Sequence, residues 1–361
     1  MYSCCSIARR AKCFDMGNRR TATARTVALL WICCLVCCSA NTVSDEKQKV
    51  IVVLVDGCRW DYLKEPDLPG FRALAENGVK AEYVVPVMPS NSYPNWYSIV
   101  TGLYPEQHGF VDNNMYDEVH DDYFLMAPDT NASLPHWWNH AEPIWITAEK
   151  HGRRTSVYWW DGCQVTIRGR RTTHCAQYIR YWQWTNQNAD YTHAFNHILD
   201  KLQNDEVDLV MVYYEGVDAN GHFYGPSSTK RKEALKFIDS QLLNLQEKMQ
   251  NRKLDKTVNL IVVSDHGMVD ISPEYVTTID VAPYVDLNDV HAFLGSGSFA
   301  MIRPFPDKIE RVRKYPICES ASLSCFILTL PLFRALALLT FNMRWYLGTQ
   351  TAMQDHEKET R

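Results

Sequence analysis

Three short stretches put carboxylates and imidazoles directly after apolar runs. VLVDG gives Asp56, MVYYEGVDANGHFYGP gives Asp218 and His222, and VVSDHG gives Asp265 and His266. A lone aspartate after a strand is ordinarily a turn or helix-cap residue; five such groups at three strand ends point instead to one shared site. Hard carboxylates mixed with neutral imidazoles, without a thiolate, suit Zn²⁺, which accepts oxygen and nitrogen at about 2.0–2.2 Å. The groups divide into two sets: Asp56, Asp265 and His266 for one ion, Asp218 and His222 for another. MPSNSYPNWYSIVTG (88–102) adds two hydroxyls. Ser92 opens a predicted helix, where converging N–H groups, the positive end of the helix dipole and a bound cation together favour the alkoxide. Ser90, between Pro89 and Asn91, reads as a turn or cap residue. Asn113, in HGFVDNNMYD, has an amide that can donate to a developing oxyanion, although asparagine in a loop also serves as a turn residue.

Such a rim needs strands that end together. KVIVVLVDG (49–57) is a continuous β-branched run of the kind a strand buried on both faces shows. LPGFRALAENGV predicts a helix closed by Gly78, AEYVVPV a second strand, and PNWYSIVTG a helix beginning near Ser92. RTSVYWW, VDLVMVYYE (207–215) and TVNLIVVSDHG (257–267) predict further strands, separated by helical patterns such as STKRKEALKFIDSQLLNLQEKMQ. The alternation predicts an α/β fold with a mostly parallel central sheet and helices on both faces. In that architecture the carboxyl ends of the strands share one edge, so residues about 200 positions apart meet there.

The 361 residues, 46% of them hydrophobic, suffice for one large core, and a single large domain is the expectation. A net charge of −5 provides no basic field for a nucleic-acid polymer. Residues 1–40 read as a secretory signal peptide: Arg9, Arg10, Arg19, Arg20 and Arg25 precede the apolar run VALLWICCLVCCSA. That run is too short to span a bilayer comfortably. Seven of the twelve cysteines lie in this leader; of the rest, Cys163 and Cys175 are spaced to close a short loop in an oxidising compartment. The triplet NAS makes Asn131 a glycosylation acceptor in a surface loop. The localisation expected is therefore secreted or on the extracellular face of the plasma membrane.

VDGCRWDYL, MPSNSYPNWYSIVTGLYPEQHGFVDNNMYD, EGVDANGHFYGP and VVSDHGM together resemble the ectonucleotide pyrophosphatase/phosphodiesterase family of the alkaline-phosphatase superfamily. The resemblance covers roughly residues 48–314, with four motifs in family order. It implies a catalytic domain over 48–314 that cleaves phosphodiester or pyrophosphate bonds in a small-molecule substrate through a covalent phospho-Ser92 intermediate. It also implies two zinc ions, one held by Asp56, Ser92, Asp265 and His266, the other by Asp218 and His222, with Asn113 as the oxyanion donor. A serine nucleophile, and the Cys163 and Cys175 pair, are similar to the choline-specific glycerophosphodiesterase member, where most members carry threonine. Tyr158, Trp159 and Trp160 in VYWWDG then offer a cation–π wall for a choline head group or a stacking surface for a nucleotide base; the alternative is that they pack in a core.

Two departures stand out. The family places a third ligand for the Asp218 and His222 ion in a downstream HG motif; after His266 the only histidines are His291 and His356, neither followed by glycine. From Tyr315 the sequence loses its alternation, so 315–361 reads as an atypical tail on a catalytic domain incomplete at its C-terminus. Residues 321–342 offer a membrane anchor, although a central Arg334 costs about 2.5–3.5 kcal/mol on insertion scales. The alternative to an active enzyme is a truncated, catalytically impaired isoform acting as a secreted binding protein. A sulfatase is excluded, since no C/S-x-P-S-R motif is present.

Overall fold

The computed structural model describes residues 47–180, 186–272, 282–294, 299–312 and 314, together with the backbone of 323–330 and 333–341. The leader at 1–40 lies outside the described residues. In chain order the main elements are β1 (Lys49–Val55), α1 (Pro69–Asn77), α2 (Ser92–Thr101), β2 (Met115–Asp117), β3 (Asp122–Phe124), α3 (Ile144–Lys150), β4 (Thr155–Tyr158), β5 (His174–Ala176), α4 (Gln187–Gln203), β6 (Leu209–Tyr214), α5 (Gly216–Tyr224), α6 (Thr229–Asn251), β7 (Val258–Val263), β8 (Val290–Leu294), β9 (Phe299–Pro304), β10 (Leu323–Leu330) and β11 (Phe333–Phe341).

The central sheet has the order β5-β4-β6-β1-β7, and every pairing in it is parallel. β1 lies in the middle of the sheet with both faces covered, which is why its sequence after Lys49 is apolar: Ile51, Val53 and Leu54 are fully buried. Each such side chain contributes about 1.5–3 kcal/mol on leaving water. Helices flank the sheet, with α6 packed on α1, α4 and α5. Asp239 of α6 serves as the missing cap of α1, accepting from the Gly70 and Phe71 N–H groups at 3.1 and 2.8 Å. Glycine at 70 permits that approach, because a Cβ there would stand 2.1 Å from the Asp239 carbonyl oxygen.

One expectation is corrected here. AEYVVPV (81–87) forms no strand; it is irregular, with Tyr83, Val84 and Val85 exposed and Pro86 lacking an N–H for a ladder. The tail contains regular backbone: β10 and β11 form an antiparallel hairpin, and β11 pairs with β9 in a second sheet of order β10-β11-β9-β8. Among the described residues no helix is long and apolar enough to cross a membrane.

Candidate active site

The parallel sheet brings the ends of β1, β6 and β7 to one rim. Asp56 follows β1, Asp218 and His222 lie one turn apart on α5 just after β6, and Asp265 and His266 follow β7. Because β1 sits between β6 and β7, Asp56 is central. Its backbone N–H continues the ladder to Tyr214 O at 2.9 Å, and Gly57 N–H donates to Asp265 Oδ1 at 3.2 Å. Gly57 has φ +65°, and a Cβ there would meet Asp218 Oδ1 at 2.8 Å, so a side chain would block the approach of α5 to β1.

The carboxylates are held individually. Tyr213 OH donates to Asp56 Oδ2 at 2.6 Å, and Trp96 Nε1 donates to Asp265 Oδ2 at 2.6 Å. Asp265 Oδ1 also accepts the His266 N–H at 2.9 Å. His266 donates Nδ1–H to Gly267 O at 2.9 Å, which turns Nε2 inward. That atom lies 3.3 Å from Asp56 Oδ1, 3.6 Å from Asp265 Oδ2 and 3.1 Å from Ser92 Oγ.

Ser92 is the first residue of α2, whose sequence positions it by burying Tyr93, Trp96, Tyr97 and Val100 while Gly102 closes the helix in the left-handed conformation. Tyr93 OH anchors the helix start by donating to buried Asp161 at 2.6 Å. Asn113 Oδ1 accepts the Tyr93 N–H at 3.0 Å, so the amide nitrogen of Asn113 is the atom left to donate beside Ser92. Asp112 ties the same loop to Asn91 and to the Asn113 N–H. Ser90 is exposed in the bend before the helix.

Burial, reinforced by the Asp265 and Asp218 carboxylates, pushes Asp56 well above the usual carboxylate range. Burial alone would lower His266, but Asp265 and Asp218 outweigh it and raise the imidazole. The Asp218 carboxylate, with Oδ1 3.4 Å from His222 Nε2, raises His222. Asp56 Oδ1 and Asp218 Oδ1 are both shut off from solvent and accept no hydrogen bond. Orphaned buried carboxylate oxygens are costly unless a cation satisfies them. Ligand atoms of Asp56, Asp218 and His266 all lie within 4.8 Å of one another, so the residues fit a divalent ion, and the two sets read as separate in sequence meet at Asp218.

Other sequence assignments fall elsewhere. Tyr158, Trp159 and Trp160 are 4%, 6% and 1% exposed, so the aromatic-wall reading is corrected to core packing. Trp159 packs on Tyr191 with ring centroids 4.4 Å apart, and almost no indole face is left for a cation or a base. Cys163 and Cys175 form a disulfide, tying the loop after β4 to β5. Asn131 is exposed in a short 3₁₀ turn and its amide donates to Asp122 at 3.0 Å. Sequence reasoning missed the supporting residues Gly57, Trp96 and Tyr213. Trp96 lies one turn after Ser92, which was a usable signal; nothing in the sequence marked Tyr213.

The family described as type I phosphodiesterase / nucleotide pyrophosphatase matches residues 50–322. This chain belongs to that family. It is 33% identical over 283 residues to the bis(5′-adenosyl)-triphosphatase enpp4 of Xenopus laevis, covering 78% of this chain and 58% of that protein. It is 33% identical to human ectonucleotide pyrophosphatase/phosphodiesterase family member 5, over 74% of this chain and 54% of that one. The chain thus spans little more than half the length of these relatives. Among solved structures, murine ectonucleotide pyrophosphatase/phosphodiesterase 5, as an inactive Thr→Ala variant in complex with AMP, superposes with a TM-score of 0.69 at 29% identity, covering 81% of this chain and 79% of that one.

Proposed function

We propose that this protein hydrolyses a phosphodiester or pyrophosphate bond of a small nucleotide, with Ser92 as the nucleophile. The observation that carries the proposal is the convergence of Ser92 Oγ, His266 Nε2 and the orphaned Asp56 Oδ1 at the sheet rim. Asp56, Asp265 and His266, with Ser92 Oγ, would hold one divalent ion, and Asp218 and His222 would contribute to a second; zinc is the ion that this donor set suits. Bound there, the metal supplies Lewis-acid polarisation of the phosphoryl group and favours the serine alkoxide.

The chain's own groups supply the rest. At the start of α2 the Ser92 oxygen lies at the positive end of the helix, which stabilises developing negative charge. In-line attack by Ser92 Oγ forms the Oγ–P bond as the bond to the leaving oxygen breaks, and water then cleaves the phospho-Ser92 ester. The amide N–H of Asn113 donates to a non-bridging phosphoryl oxygen, since its carbonyl oxygen is committed to the Tyr93 N–H. A nucleotide is favoured over a choline ester because similar proteins are named for adenosine polyphosphate hydrolysis or hold AMP. The Cys163–Cys175 disulfide supports a secreted or extracellular location.

A second reading, a binding protein with impaired catalysis, draws on His222. Its side chain is 70% exposed, and Asp218 is its one carboxylate ion-pair partner among the described residues. Metal analysis with kinetics separates the two. An active enzyme loses close to two equivalents of zinc when Asp56→Asn, Asp218→Asn and Asp265→Asn are combined, and releases p-nitrophenol from a nucleoside 5′-monophosphate p-nitrophenyl ester, and Ser92→Ala abolishes that release while the circular dichroism spectrum is unchanged. Full activity in Ser92→Ala removes the proposed nucleophile, turnover of p-nitrophenyl phosphocholine alone removes the nucleotide assignment, and loss of one equivalent or fewer in the triple rim variant, with no turnover by the parent, supports the binding form.

A further inference from the structure

A second group of metal-ligating side chains lies outside the sheet rim, on the β2–β3 hairpin. β2 and β3 pair so that Asp117 stands directly opposite Asp122. Like charges in that position destabilise a two-stranded ladder, so something positive is needed between or beside them. The hairpin itself holds no lysine or arginine, and Arg303, which reaches it, is paired with Glu118 at 2.8 Å; beside the two aspartates stand His120 of the turn and His136 from outside the hairpin. His120, in the connecting turn, is bonded through Nδ1 to Asp117 Oδ2 at 2.6 Å. His136, arriving from the short helix Pro135–Trp138, stacks on His120 with ring centroids 4.2 Å apart and 23° between planes.

We propose that Asp117, His120 and His136, with Asp122 beside them, form a binding site for a divalent transition ion of the zinc class, separate from the proposed catalytic site. One ligand atom from each of the first three lies within 4.8 Å of the others. A tetrahedral zinc with bonds of about 2.0–2.1 Å holds its ligands roughly 3.3–3.5 Å apart, so side-chain rotations of the order of an ångström complete the set. His136 Nε2 is shielded from solvent and makes no hydrogen bond, with Asp122 Oδ2 at 3.5 Å. A shielded nitrogen without a donor or acceptor is unfavourable by itself and favourable once it holds a cation.

The geometry also provides the outer support that metal sites need. Asp117 Oδ1 accepts the Val119 N–H at 2.8 Å, fixing the turn that carries His120. Asp122 Oδ1 accepts from Asn131 Nδ2 at 3.0 Å and from the Tyr123 N–H at 2.9 Å. Each carboxylate therefore has one oxygen tied to the protein and the other turned toward the histidines. Burial, with His120 adding to it, lowers His136 and keeps it in the neutral form that ligates metal.

The site is independent of the proposed hydrolysis and is tested by metal counting on the full chain. After treatment with EDTA and reloading with Zn²⁺ or Co²⁺, His120→Ala is expected to bind about one equivalent fewer than the parent. This variant changes a half-exposed turn residue, so the fold is at little risk. Asp56→Asn/Asp218→Asn/Asp265→Asn, which disables both rim positions, is expected to keep one equivalent, and His136→Gln added to it to remove the Co²⁺ absorption. Equal stoichiometry in parent and His120→Ala, or an Asp56→Asn/Asp218→Asn/Asp265→Asn chain that binds no metal, overturns the proposal.

Discussion

The two carboxylate–histidine groups differ in how their charges are paid for. On the hairpin, Asp117, His120, Asp122 and His136 come from about twenty consecutive residues, and each carboxylate also binds the backbone beside it. At the sheet rim, Asp56, Asp218 and His266 come from three distant segments, and Asp56 Oδ1 and Asp218 Oδ1 have no hydrogen-bond partner. A local cluster forms once its hairpin and the short helix Pro135–Trp138 after it have formed. The rim cluster forms only when the whole sheet is assembled, and the cost of desolvating its carboxylates is carried by the rest of the fold. Disruption at the rim should therefore act over long distances, and disruption on the hairpin should stay local.

The largest effect expected is from Asp265→Asn. It removes a charge that organises Gly57, Trp96 and His266 at once, and turnover of a nucleotide diester should fall by more than about 10³-fold with loss of rim metal. Gly57→Ala should follow at about 10²-fold, because a Cβ at that position displaces Asp218. Gly102→Ala is the sharper control: its φ of +69° is close to the +65° of Gly57, yet nothing lies within 4 Å of its Cβ, so it shares the backbone strain without the displacement. Equal losses of activity in the two variants would break the argument that α5 must approach β1 closely.

A third histidine tests the cost of burial without a carboxylate beside it. His108 is fully buried, accepting the Phe110 N–H at Nδ1 and bonded to Ser98 Oγ through Nε2, and burial lowers it to about 4. Between about 6.5 and 4 the unfolded chain holds a proton that the folded chain refuses. Stability from this group is therefore complete above about 6.5 and is lost as the pH falls toward 4, by roughly 3 kcal/mol. Thermal melts across that range should show a steeper acid loss for the parent than for His108→Gln. The smallest effect is from Trp96→Phe, which keeps the edge-to-face packing on Tyr213 but loses the donor to Asp265, lowering kcat/KM about tenfold.

Much of the rim is legible in the sequence. VLVDG, VVSDHG and EGVDANGH each announce a polar residue after a buried run, and parallel topology then carries their ends to one edge. The helix beginning at Ser92 followed from local pattern in the same way. Where reading failed, the deciding partner lay elsewhere in the chain. AEYVVPV has strand-forming residues but no neighbouring strand, and VYWWDG looks like an aromatic wall until Tyr191 and the core close over it. The hairpin cluster was not singled out, because the Asp117 and Asp122 register and the stacking of His120 on His136 are invisible in a list of residues.

The sequence by itself determined the alternating α/β order, the identity of the polar residues at the strand ends and the helix that presents Ser92, because each depends on periodicity or on neighbours in the chain. Only the tertiary structure decided that Asp218 joins Asp56 and His266, that Gly57 must be bare, that Tyr213 and Trp96 hold the carboxylates, and that Trp159 and Trp160 are core. Those outcomes depend on which surfaces meet across separations from 32 residues (Trp159 and Tyr191) to 210 (Asp56 and His266), and burial and electrostatic coupling are properties of the meeting rather than of either partner.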